Sequence, residues 1–312
     1  MGFLLVPILA TTTPSEGWSL VIFNYDIMDV KDLYYELHKS VYGRVNVMTR
    51  QTENGQMVVI YDDHRWLLNV LFYLYKLGEH YDLIYFDAHD DAAECEEKSI
   101  LLEKIGVANL NEATDKQFGA FVDFDQREDD GGWLTTAMEL NLIGDAVNIG
   151  NRHSSNLSQM HGQYTSEDGV VHNVFELSEN LEYELGSRGQ LGDTCREVEC
   201  RKLRDFFGIE HFYRRYGDMH VARPYVLDFD LDFFTMSFND EATHGWTPKI
   251  FKKHFPDYSE QDRMLRNLIR DAKVITICRE PDYCGSLGDS NRILEMLDRY
   301  YFNGCIGTDS SL

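Results

Sequence analysis

The sequence predicts an α/β fold, and three observations carry that expectation. Short apolar runs bounded by turn residues recur along the 312 residues, the mark of buried strands. Several are followed by segments whose apolar residues repeat near every 3.6 positions, the mark of helices packed on a sheet. No long linker, internal repeat or low-complexity tract interrupts this alternation, so one large domain over residues 1–312 is expected, with a possible insertion at 150–222.

Ser19 to Asn24 reads as a first strand and Asp29 to Lys39 as a helix. The Asn54-Gly55 turn signal precedes an expected strand from Gln56 to Tyr61, and a helix is expected from Arg65 to Lys76. There Trp66, Leu67, Val70, Leu71, Leu74 and Tyr75 form one apolar face. Tyr81 to Phe86 reads as a strand, Lys98 to Ile105 and Leu134 to Leu142 as helices, and Ala146 to Ile149 as a strand. Glycine, serine and asparagine clusters and the charged run Cys195 to Arg204 make residues 150–222 read as elaborated loops. Tyr225 to Phe234 and Lys273 to Cys278 read as strands, and Asp262 to Ala272 and Ser290 to Tyr301 as helices.

The chemistry concentrates where these strands end. Residues 85–91 read Tyr-Phe-Asp-Ala-His-Asp-Asp, placing Asp87, His89 and Asp91 at alternate positions after an apolar run. In a strand, residues at i, i+2 and i+4 share a face and can converge on an ion. Burying two carboxylates and an imidazole together costs several kcal/mol unless something compensates, and a divalent cation fits that set. Asp228, Asp230 and Asp232 repeat the spacing in Tyr-Val-Leu-Asp-Phe-Asp-Leu-Asp-Phe-Phe, and the residues alone leave open which of the three would bind metal. A third strand, Met57 to Tyr61, runs into Asp62, Asp63 and His64. Open α/β sheets bind ligands beyond the carboxyl ends of their strands, so the three ends are expected to meet in one crevice.

This pattern resembles the arginases and related ureohydrolases, whose paired manganese ions are held by an Asp-His ending, an Asp-Ala-His-x-Asp motif and a Ser-x-Asp-x-Asp motif. Asp87-Ala88-His89-x-Asp91 matches the second in full. In the third, Asp230 and Asp232 take the ligand places and Asp228 stands where the family has serine; in the first, Tyr61-Asp62-Asp63-His64 replaces Gly-Gly-Asp-His. The resemblance implies a three-layer fold with a mainly parallel central sheet and six ligands: His64, Asp87, His89, Asp91, Asp230 and Asp232. It also implies two Mn2+ ions, and oxygen-rich ligands with two imidazoles suit such a borderline-hard cation. Glu280, before Pro281 and after the strand ending at Cys278, corresponds to the glutamate that orients the guanidinium.

Arginases protonate the leaving amine from a histidine in a Ser-Gly-Asn-x-His-Gly loop after the second motif. Here Ala-Ala-Glu-Cys-Glu-Glu-Lys follows at 92–98, without the Asn and Ser that would grip a free amino acid's carboxylate. The chain is therefore more similar to the peptide arginases of ribosomal peptide maturation, which convert arginine residues of a precursor peptide to ornithine and release urea. His153, after the strand Ala146 to Ile149, is the candidate proton donor, with His161, His172, His220 and His244 as others.

Composition bounds these readings. With 53 acidic against 29 basic residues the formal charge is −24, which disfavours nucleic acid and anionic membrane and favours cationic partners. The six cysteines at 95, 195, 200, 278, 284 and 305 form no Cys-x-x-Cys pair, as in a reducing compartment. Residues 2–10 are apolar but short, broken by Pro7 and without a basic flank, a poor signal peptide. A cytoplasmic protein is expected. The alternatives to peptide hydrolysis are a small-molecule guanidine ureohydrolase, a deacetylase-type amidohydrolase, and a non-catalytic peptide-binding protein stabilised by metal.

Overall fold

A computed structural model describes residues 47–126, 131–150, 156–160, 162–177, 221, 223–237 and 243–307. The expected strand at 19–24 and helix at 29–39 lie outside the described residues, as do His153, His161, His220 and the charged run at 195–204.

Ten strands are described: β1 (Met48–Gln51), β2 (Met57–Tyr61), β3 (Asp82–Phe86), β4 (Ala146–Ile149), β5 (Gln163–Thr165), β6 (Val171–Leu177), β7 (Tyr225–Asp230), β8 (Thr235–Ser237), β9 (Thr243–Gly245) and β10 (Val274–Cys278). Eight form one sheet in the order β1-β2-β10-β7-β3-β4-β6-β5. The six inner strands are parallel, and β1 and β5 close the edges antiparallel. β8 and β9 form a separate hairpin. The expected mainly parallel α/β sheet is thus observed.

Inner parallel strands are covered on both faces, which is why β2 (Met-Val-Val-Ile-Tyr) and β10 (Val-Ile-Thr-Ile-Cys) read as nearly unbroken apolar runs. Alternate residues feed two cores. Val59, Tyr61, Leu83, Tyr85 and Val226 pack under α1 (Leu67–Lys76), α2 (Lys98–Ile105), α3 (Asp115–Phe124) and α4 (Trp133–Glu139). Val58, Ile60, Ile84, Phe86, Leu227 and Phe229 pack under α5 (Pro248–His254), α6 (Glu260–Asp271) and α7 (Leu287–Leu297). The result is three layers, with each fully buried large apolar side chain contributing about 1.5–3 kcal/mol.

Differences from the sequence reading have local causes. Residues 163–177, inside the stretch read as loops, supply β5 and β6, and β6 extends the main sheet beside β4. The last helix starts at Leu287 because Ser286 caps it, accepting from Asp289 N. The helix expected at 134–142 is Trp133–Glu139. Two helices went unread. α3 opens on a capping box, Thr114 with Gln117, and α5 opens on Thr247 with Pro248 in the first turn. No described helix is long and apolar enough to cross a membrane.

Candidate metal centre

All six inner strands point their carboxyl ends the same way, and four adjacent ones, β2, β10, β7 and β3, bring their ends together. His64 follows β2, Glu280 follows β10, Asp228 and Asp230 lie on β7, and Asp87 follows β3. Between β2 and His64, two acidic residues anchor the backbone. Asp62 pairs with Arg279 Nε at 2.5 Å. Asp63 accepts from Arg65 N (3.1 Å) and Arg65 Nε (3.0 Å), so the Asp-Asp-His ending offers His64 to the crevice.

Asp228, the residue whose place in the motif was open, sits behind His64. Its Oδ2 lies 2.9 Å from His64 Nε2, while its Oδ1 accepts from Tyr61 Oη (3.0 Å) and Thr276 Oγ1 (2.5 Å). A carboxylate holding one ring nitrogen fixes the tautomer and aims the other. That other atom, Nδ1, lies 2.9 Å from Asp91 Oδ2, 3.1 Å from Asp230 Oδ2 and 3.5 Å from Asp87 Oδ2.

The Asp-Ala-His-Asp-Asp segment does not act as one strand face. β3 ends at Phe86, and residues 87–91 form a turn in which Asp91 takes φ +48°. The three side chains consequently divide between two groups. His64, Asp87 and Asp91 make one; Asp87, His89 and Asp232 make the other, with His89 Nδ1 2.7 Å from Asp232 Oδ2. Asp87 belongs to both. On β7 the phase is also broken, because Asp232 lies in the 3-10 turn Leu231–Phe234, where its backbone N donates to Asp230 Oδ1 at 2.8 Å. All six residues named from the sequence are thus brought together, by two turns rather than two straight strands.

Glu280 joins them. It is buried, its Oε1 accepts from His64 N at 3.3 Å, and it lies in a group with His64, Asp230 and Cys278. Its backbone has φ +30°, a conformation that costs a non-glycine residue about 1–2 kcal/mol. The loop tolerates this because Arg279 O accepts from Ser290 Oγ (2.9 Å) and Cys284 Sγ (3.1 Å), and Arg279 N donates to Tyr61 O (2.8 Å). Among the other histidines, His172 holds Gly144 O and Asn141 Oδ1 at the opposite end of β6, and His244 is exposed on β9.

Burial and mutual repulsion set the electrostatics of the cluster. Burial and the neighbouring charges of Asp91, Asp232 and Asp230 push the Asp87 carboxyl well above its usual range. Burial and Asp232 raise Asp230 to about 7, and burial and Asp230 raise Glu280. His64 is raised despite the opposing effect of burial, chiefly by Asp228. Five carboxylates and two imidazoles in a closed space call for positive charge. Three buried atoms that face the cluster, His64 Nδ1, Asp87 Oδ2 and Asp232 Oδ2, make no well-aligned hydrogen bond, although Asp91 Oδ2 lies 2.9 Å from the first and His89 Nδ1 2.7 Å from the last. Poorly aligned polar atoms on an oxygen-rich donor set fit hard or borderline divalent cations, which the two groups sharing Asp87 would hold.

Two supporting residues were missed in the sequence. Trp133, the first residue of α4, donates from Nε1 to Asp91 Oδ2 at 2.5 Å and lies over the His64 ring at 4.6 Å. Gly150, with φ +105°, passes so close to Phe233 that a Cβ would meet its ring at 2.2 Å, and the Asp87 carbonyl at 3.3 Å. The Gly-Gly pair at 131–132 before Trp133 and the glycine after β4 are signals for a helix start and a close approach.

The groups differ in access. His64 is fully buried, whereas the His89 side chain is 38% exposed and meets the exposed Tyr283 ring edge-to-face at 5.8 Å. The crevice therefore opens on the His89 side. Glu94, Glu96 and Glu97, directly after this segment, are exposed.

No family model matches the chain, and no curated protein matches it in sequence. Among solved structures the chain is similar to proclavaminate amidino hydrolase from Streptomyces clavuligerus. The identity is 15% and the TM-score 0.42, over 78% of this chain and 62% of that one.

Proposed function

We propose that this protein is a dinuclear manganese hydrolase that cleaves the guanidinium group of arginine residues in a peptide, giving ornithine and urea. The observation that carries the proposal is the pair of ligand groups sharing Asp87, with the buried Glu280 beside one of them. His64, Asp87, Asp91 and Asp230 would hold one ion, and Asp87, His89 and Asp232 the other. Such a pair, when bound, supplies Lewis acidity and makes water acidic enough to serve as a nucleophile near neutral pH.

The residues of the chain do the rest. The Glu280 carboxylate, aimed into the crevice, pairs with the guanidinium and orients its trigonal carbon. The water oxygen adds to that carbon, the bond to Nε breaks, and Nε receives a proton as the amine leaves, with His153 as the proposed donor. Asp228, Tyr61 and Thr276 hold the His64 ring while charge is redistributed. The peptide form of the substrate is supported by what surrounds the opening. Residues 92–98 bring three glutamates and neither Asn nor Ser to grip a free carboxylate, and the one cation among them, Lys98, is paired with Asp168; a peptide-bound arginine carries no such carboxylate.

Mass spectrometry of an arginine-containing peptide and of free arginine, each incubated with manganese-loaded protein, tests the proposal. A loss of 42 Da from arginine, about the mass of the departing CN2H2 unit, with matching urea, is expected in the peptide. Turnover of free arginine alone would replace it with the small-molecule reading. Absence of turnover with two ions bound would leave the non-catalytic one.

A further inference from the structure

The two ion positions described above leave one buried group without a role. Cys278, the last residue of β10, is a fully buried free thiol whose sulfur lies within 4.8 Å of ligand atoms of His64, Asp230 and Glu280. The register fixes it there: Cys278 is paired with Asp230 on one side and Tyr61 on the other. His64 Nδ1, fully buried and without a well-aligned hydrogen bond, lies 3.1 Å from Asp230 Oδ2 in the same space.

We propose that His64, Asp230, Cys278 and Glu280 form an alternative cation position, selective for thiophilic divalent ions such as zinc and cadmium. One sulfur, one imidazole nitrogen and two carboxylates make a four-ligand set of the kind zinc and its heavier congener take, whereas manganese favours oxygen. The thiol proton leaves to solvent as the sulfur–metal bond forms. His64 Nδ1 has a single lone pair, so this position and the His64-Asp87-Asp91 position cannot be filled together. A thiophilic ion there also takes Glu280 out of reach of a guanidinium. The chain thus carries a built-in site for inhibition by soft metals. The inference rests on the geometry of the group and stands independently of the substrate.

Titration of the apo-protein with cadmium, followed by ultraviolet absorption, tests it. A thiolate-to-cadmium charge-transfer band saturating at one equivalent is expected in the apo-protein, and in a separate titration of manganese-loaded protein cadmium displaces one manganese equivalent. Cys278→Ser removes the band and weakens cadmium binding by about tenfold or more, while manganese binding stays within about twofold. Cys284→Ser, whose sulfur donates to Arg279 O instead, keeps the band. Absence of a band in the cadmium-bound wild type, or its survival in Cys278→Ser, overturns the proposal. Should Cys278→Ser fail to fold, Cys278→Ala read by the same band serves in its place. None of these outcomes depends on urea release, so failure here and failure of the hydrolase reading are distinguishable.

Discussion

Asparagine at position 87 separates the two things Asp87 does. Its charge is opposed by burial and by three neighbouring carboxylates, yet it is the one residue common to both ligand groups. Asp87→Asn keeps the acceptor for the His89 backbone N–H, which donates to Asp87 Oδ1 at 2.6 Å, and removes only the charge. The metal-free variant is therefore expected to be at least as stable as the metal-free wild type. With metal the order reverses. At a free concentration of about 100 Kd each bound ion stabilises by about 2.7 kcal/mol, or about 5 kcal/mol for two. At about 2 °C per kcal/mol for a chain of this size, that is a Tm rise of roughly 10 °C. Asp87→Asn is expected to lose nearly all of it, while Asp91→Asn and Asp232→Asn each lose about half. Differential scanning calorimetry with and without manganese, alongside metal analysis of the dialysed proteins, reads both quantities. An undiminished manganese shift in Asp87→Asn, or a variant destabilised by more than about 2 kcal/mol without metal, would refute the shared-ligand reasoning.

Other perturbations probe separate parts of the site. Glu280→Gln is expected to retain both ions and lose at least about a hundredfold in kcat/KM for a guanidinium substrate; an unchanged value in steady-state assays places the orienting anion elsewhere. Trp133→Phe keeps the ring over His64 but removes the donor to Asp91, so manganese affinity measured by calorimetric titration is expected to fall about 10–100-fold. Gly150→Ala drives a methyl into Phe233 and should cost about 3 kcal/mol or more in chemical denaturation, with both ion positions weakened because Asp87 lies on one side and the Phe233 turn on the other. Acidification should weaken metal binding. His64, Asp87 and Asp230, the last at about 7, hold protons more tightly than usual in the metal-free protein, and the metal must displace them. Affinity is thus expected to fall as pH drops, with the Asp230 contribution entering below about 7, by up to tenfold per unit for each proton displaced; a flat profile would mean that the groups are already deprotonated.

Much of this was legible before the structure, and the failures are instructive. β4 and α2 fall at their expected limits, and β2, β3 and β10 within a residue, because strands buried on both faces write unbroken apolar runs. The turn-bound residues resisted. Alternation in Asp87-Ala88-His89-Asp90-Asp91 mimics a strand, but Asp91 adopts a left-handed backbone, so one apparent ligand face is two half-sites. Asp228 was ambiguous because spacing alone cannot distinguish a ligand from the carboxylate that aims one. The contact that decides it, Asp228 to His64, spans 164 positions in the chain. Trp133 and Cys278 look like ordinary core residues in sequence, since an indole donor or a thiol becomes chemical only through what folds against it.

The place of β10 in the sheet has a consequence for how the protein is made. β10 is the last strand among the described residues, yet it lies between β2 and β7. Until it inserts, β2 and β7 each present a bare edge where the finished sheet has none, the sort of edge that pairs with other chains. The same insertion brings Glu280 to His64 across 216 positions. A ribosome-bound or truncated chain ending before Val274 therefore has an unfinished crevice as well as two sticky edges. Deletion of β10 is expected to appear as aggregation, because it bares the edges of β2 and β7 and takes Glu280 away from His64.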